Sequence, residues 1–178
     1  MFVRGISNVT SIERIPDECE NAIIGIVWSE MRSKDDTLSI WKIENREDFE
    51  DAALSIILPK SRIDAASFLI IEDNAFSENH IEIKQIPPEK EFVLDSKAIH
   101  YNMVNIRACS APDVLRIYKS MYEKELKCVE EEMYIVSWTI SEAGEKILEA
   151  DKNGKIITSS LGTEMLRSIE KLKGKSQL

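Results

Sequence analysis

Hydrophobic positions along this chain follow two periods, and the switches between them mark out its elements. From Pro16, the residues Cys19, Ala22, Ile23, Ile26, Val27 and Met31 recur mostly at three- and four-residue steps, which predicts an amphipathic helix, with a buried strand over residues 22–28 as the competing reading. Leu38, Ile40 and Ile43 suit a strand over residues 37–44. Asn45 is a favoured N-cap type, and a face of Phe49, Ala52, Ala53, Ile56 and Ile57 predicts a helix running to about Leu58, where Pro59 stops it. Residues 67–72 read as a buried strand, and residues 81–85 as an edge strand ending before Pro87-Pro88. Strand character returns over residues 98–107. Ser110, three residues before Asp113, resembles a capping box, and Val114, Leu115, Ile117, Tyr118, Met121 and Tyr122 form the best helical stripe in the chain.

The last third changes character. Short β-like runs over residues 134–141, 146–151 and 155–159 are separated by polar residues, and Asn153-Gly154 between apolar runs is the dipeptide that favours a two-residue hairpin. Met165, Leu166, Ile169 and Leu172 then share one side of a closing helix that ends near Gly174. The expected class is α+β: a mixed or antiparallel sheet with three to four helices, and a C-terminal β-meander followed by a helix. A chain of 178 residues suits a single domain over 1–178, with a subdivision placed, if anywhere, near 127–133.

Charge adds an asymmetry that the hydrophobic pattern does not carry. The chain holds 32 Asp and Glu against 23 Lys and Arg, a net charge of -9, and 18 of those acids with only 9 bases fall within residues 1–89. Residues 90–178 are neutral. An acidic balance weighs against nucleic acid and anionic membranes, whose binding needs Lys and Arg on phosphates. No apolar run approaches the ~20 residues of a membrane span, and the N-terminal stretch lacks a secretory pattern. Three cysteines, Cys19, Cys109 and Cys128, show no CxxC spacing and read as reduced thiols, which points to the cytoplasm.

Candidate chemistry is sparse. The glycines supply no GxGxxG turn, and Gly174-Lys175-Ser176 ends like a phosphate-binding loop whose first glycine would have to fall at Ile169. GxSxG is absent, and His80 and His100 alone cannot build HExxH. Cys109 stands just ahead of the helix expected at Ser110, a position that suits a nucleophilic cysteine and makes it the candidate catalytic residue. Glu149, Asp151, Asn153 and Gly154 match the first, third, fifth and sixth positions of a calcium loop, but Ser160 stands where the bidentate glutamate belongs. Those three side chains are the candidate metal ligands, and the Asn-Gly turn is their simpler explanation. Along residues 99–107, polar His100, Asn102 and Arg107 interrupt both faces of a strand and are the candidate binding residues.

The sequence therefore leads to the expectation of a non-enzymatic, cytoplasmic protein-binding domain, of adaptor, inhibitor or immunity type, acting through its acidic N-terminal half. The expected partner is a protein, cationic in character, or a second copy of the chain, with no cofactor. The alternative is a small enzyme with a site near His100, Arg107 and Cys109.

Overall fold

In the computed structural model, the structure describes residues 1–6, 36–128 and 133–175. The helix or strand expected over 16–31, with Cys19, lies outside the described residues.

Six strands form one sheet: β1 (Phe2–Ile6), β2 (Leu38–Lys42), β3 (Ala66–Ile71), β4 (Ile83–Gln85), β5 (Ile99–Met103) and β6 (Ile135–Trp138). Their order is β4-β5-β2-β1-β3-β6, and every neighbouring pair is antiparallel. Among the described residues the α-helices are α1 (Phe49–Ile57), α2 (Asp73–Glu78), α3 (Ala111–Glu125), α4 (Ile140–Lys152) and α5 (Thr163–Lys175). The α+β class and the antiparallel sheet agree with the sequence reading. No helix among the described residues is long and apolar enough to cross a membrane.

Strand alternation sends side chains to two separate cores. Val3 and Phe68 point to one face, where α1, α4 and α5 supply Ala53, Leu54, Ile57, Ile147, Met165 and Ile169. Phe2, Ile6, Ile40, Leu69 and Met103 point to the other, where α2 and α3 supply Phe76, Val114, Ile117, Tyr118 and Met121. The β1 strand lies between β2 and β3 and is nearly fully buried, although its middle residues are Arg4 and Gly5. Arg4 is satisfied inside the second core: its Nε donates to the Tyr118 hydroxyl at 2.5 Å and its Nη1 to the Ser39 carbonyl at 3.0 Å. Gly5 lets α1 approach, because a Cβ there would stand 2.7 Å from Ile56 Cγ2.

The C-terminal β-meander is corrected. Residues 146–151 are helical, because Ala143, Ile147 and Ala150 repeat at steps of four and three and bury one stripe of α4. Thr139 and Glu142 form the capping box that starts it, with the Glu142 N–H donating to Thr139 Oγ1 at 3.2 Å and the Thr139 N–H donating to Glu142 Oε2 at 2.7 Å. Asn153-Gly154 is then the helix C-terminus rather than a hairpin. Gly154 takes φ +69°, its N–H donates to the Asp151 carbonyl, and the Lys155 N–H donates to the Ala150 carbonyl at 2.9 Å, the paired bonds of a Schellman cap. Residues 155–159 contribute one bridge, Ile156 to Val93, and no strand. The closing helix stands as α5.

Candidate functional site

Three strands and two connections build an open groove of about 760 Å³ on the α1 side of the sheet. Its floor is Gly5 of β1, Ser39 and Trp41 of β2, and His100 and Asn102 of β5. The register explains the grouping: Ser39 lies opposite Asn102 and Trp41 opposite His100, so the four side chains share one face. One wall is Ser55 and Ile56 of α1 with Pro59 beyond it, and the other is the segment Ile86, Pro87, Pro88 and Phe92. A second recess of about 410 Å³ shares Trp41, Phe92 and His100 and extends to Leu94 and Ile99. Ile86 and Leu94 are 37% and 52% exposed, so the outer end of this groove is open and offers apolar surface.

The second wall is pinned from several sides. His100 Nδ1 meets the Ile86 carbonyl at 2.6 Å, and the His100 ring stands edge-on to Trp41 with centroids 4.9 Å apart. Further along, the Ile157 N–H donates to the Phe92 carbonyl at 3.0 Å and the Leu94 N–H to the Lys155 carbonyl at 2.7 Å. The Lys97 N–H donates to Asp51 Oδ2 at 3.1 Å, and Lys155 Nζ reaches Asp51 Oδ1 at 3.3 Å. The wall thus hangs on α1 and on the C-cap of α4 without covering the groove floor.

Of the candidate binding residues, the structure brings His100 and Asn102 together and places Arg107 elsewhere. Asn105 adopts φ +59°, which ends the strand and breaks its alternation, and Arg107 beyond it is exposed and 3.6 Å from Asp36. Cys109 is an exposed free thiol in the 3-10 turn of residues 108–110 ahead of α3, outside the groove lining. Glu149 and Asp151 sit on the last turn of α4 and Asn153 is its C-cap; Asp151 pairs with Lys173 at 2.5 Å, so the three do not converge. Glu149 and Asn153 line a smaller acidic cleft with Glu47, Asp48, Glu50 and Asp51, where Lys97, Lys146 and Lys155 supply the countercharge. The hydrogen bond to Glu50 holds the Lys146 ammonium above its ordinary range, against the effect of burial. Among the described residues, no group of three or more His, Cys, Asp or Glu side chains is arranged to hold a metal ion.

Trp41, Ser39 and Phe92 are site residues that sequence reasoning passed over. The signal for two of them was present: Ser39 and Trp41 share the face of a strand opposite to Leu38 and Ile40, a polar and aromatic face where an apolar one is usual. No protein-family model, curated protein or solved structure matches this chain.

Proposed function

We propose that the protein acts by binding another protein, and that a segment of that partner sits in the groove over β1, β2 and β5. The observation that carries this reading is the groove itself: a preformed depression within the ~300–1,000 Å³ typical of ligand sites, floored by Trp41, Ser39, His100 and Asn102, with exposed Ile86 in its wall and exposed Leu94 in the adjoining recess. A large aromatic side chain inside the depression, with charged Glu89 and Lys90 at its edge, matches the apolar centre and polar rim that protein interfaces concentrate. The reading rests on the groove more than on the acidic half. Asp36, Asp48, Glu50, Asp51 and Glu72 are each paired with a cation from residues 90–178, so part of the acidity is answered within the molecule. The setting we assign is the cytoplasm, where Cys109 and Cys128 persist as free thiols.

Ser39→Trp tests the idea, because Ser39 is exposed on the groove floor and a larger side chain there fills it without entering either core. The variant is expected to fold as the wild type does and to lose a partner recovered from native extract by the wild-type chain. The recovered partner is then measured directly against both proteins. Equal affinity for both would remove the groove from the account, and recovery of no partner would overturn the binding reading.

A further inference from the structure

The two edges of the sheet differ in what protects them. An edge strand offers unpaired N–H and C=O groups to any second strand, a hazard that charged side chains and prolines usually blunt. Edge β4 has both, with Lys84 at its centre and Pro87-Pro88 just beyond it. Edge β6 has neither: residues 133–141 carry no charge and no proline, and Met133 and Ile140 at its two ends are exposed. The Ile70 N–H donates to the Tyr134 carbonyl at 2.8 Å, and the backbone groups of an antiparallel strand face alternate sides, so Ile135 and Ser137 turn away from β3 and Thr139 follows them. Two of these three outward N–H groups meet a carboxylate. Glu125, the last residue of α3, accepts from Tyr134 and, at 3.0 Å, from Ile135; Glu142, in the first turn of α4, accepts from Thr139 at 2.7 Å. Ser137, exposed and midway between them, has no strand or carboxylate outward of it among the described residues.

We infer that Glu125 and Glu142 guard the β6 edge against pairing with a second copy of the chain. Antiparallel pairing about a two-fold axis lets an edge meet its own copy, and every pair in this sheet already runs antiparallel. With Ser137 opposite its own copy, Ile135 of one chain faces Thr139 of the other. The carboxylate held by Ile135, that of Glu125, then meets the carboxylate held by Thr139, that of Glu142, and the symmetry repeats this at the other end. Like charges directly opposite are destabilising, and each carboxylate already occupies the N–H that an incoming carbonyl would need. Without the two glutamates the edge would present three N–H groups in register, flanked by apolar Met133 and Ile140. The guard stands at the far end of the sheet from the groove, which it leaves untouched.

Sedimentation velocity of the full chain over a concentration series tests it. Glu125→Ala/Glu142→Ala frees the guarded N–H groups and removes both charges, and is expected to self-associate about tenfold more tightly than the wild type. Adding Ser137→Lys, which puts a charge on an exposed side chain at the centre of the pairing, is expected to return the variant to wild-type behaviour. The lysine does not restore stability lost with the glutamates, so this reversal separates edge pairing from association of an unfolded fraction. A double variant that sediments as the wild type does would overturn the inference, as would association that Ser137→Lys leaves unchanged. Wild-type association that Ser137→Lys abolishes would overturn it too, because the edge would then pair in spite of its guards. If circular dichroism shows the alanine variant unfolded, Glu125→Gln/Glu142→Gln keeps the acceptors and removes only the charges. Tighter association than the wild type supports the inference in that case, and equal association overturns it.

Discussion

At the scale of single residues, the sheet depends on a position where a side chain is missing. Gly5 lies in a nearly fully buried strand inside the sheet, and α1 packs so closely over it that an added Cβ would meet Ile56 Cγ2 at 2.7 Å. Ile56 is β-branched and stiff at χ1, so it cannot swing its methyl away freely. Gly5→Ala is therefore expected to cost about 1–3 kcal/mol of stability, the range for overpacking a well-filled contact. Urea unfolding of Gly5→Ala, Ile56→Ala and the double variant checks the cause. If the clash is responsible, the alanine at position 5 costs much less when Ile56 has been cut back; strict additivity would count against it. The same contact sets one wall of the groove, since Ile56 and Gly5 both line it.

At the scale of elements, α4 depends on its ends. Thr139 caps the helix by accepting from the Glu142 N–H, and the reciprocal bonds from Thr139 hold the Glu142 carboxyl below its ordinary range. Thr139→Ala is expected to lose about 1 kcal/mol by urea unfolding. Thr139→Ser keeps the hydroxyl and is expected to stay near wild type. This helix also shows where sequence reading stopped. Residues 37–44, 67–72 and 81–85 alternate or run apolar in ways that only strands do at that length, and β2, β3 and β4 follow. In the segment after Thr139, Asn153-Gly154 is a pair that serves a hairpin and a Schellman cap equally well. What decides between them is the stripe of Ala143, Ile147 and Ala150, small enough to pass unnoticed and packed against α5, where Gly144 lets Leu172 approach. The β1 strand was illegible for another reason. Arg4 and Gly5 break its apolar run, and both are explained only by distant partners, Tyr118 and Ile56, that no local pattern names. The site followed the same division: alternation along β5 exposes His100 and Asn102 as a polar pair, whereas the turn at Asn105 that removes Arg107 is a tertiary outcome.

At the scale of the whole molecule, the charge asymmetry between halves becomes a set of internal joints, and the one joining Glu72 to Lys124 carries a pH signature. Glu72 follows β3, Lys124 ends α3, and Tyr134 precedes β6; Glu72 pairs with the Lys124 ammonium and accepts from the Tyr134 hydroxyl at 2.8 Å. The hydrogen bond from Lys124, with the smaller one from Tyr134, holds the Glu72 carboxyl below the ordinary glutamate value of 4.5 in spite of its partial burial. A carboxyl lowered by folding binds fewer protons in the native state than in the unfolded chain, so its contribution is complete above the unfolded value and disappears as pH falls through the folded one. Glu72→Gln keeps an acceptor for Tyr134 and removes only the charge. The stability difference between wild type and Glu72→Gln, measured by urea unfolding, is expected to be constant from neutral pH down to about pH 5.5, then to shrink steadily as pH drops below the ordinary glutamate value. Other carboxyls titrate in both proteins and cancel in that difference. A gap that widened in acid would mean that Glu72 is held in its protonated form. None of Glu72, Lys124 and Tyr134 lines the groove, so partner binding at neutral pH should be the same for the variant and the wild type, which separates this joint from the site.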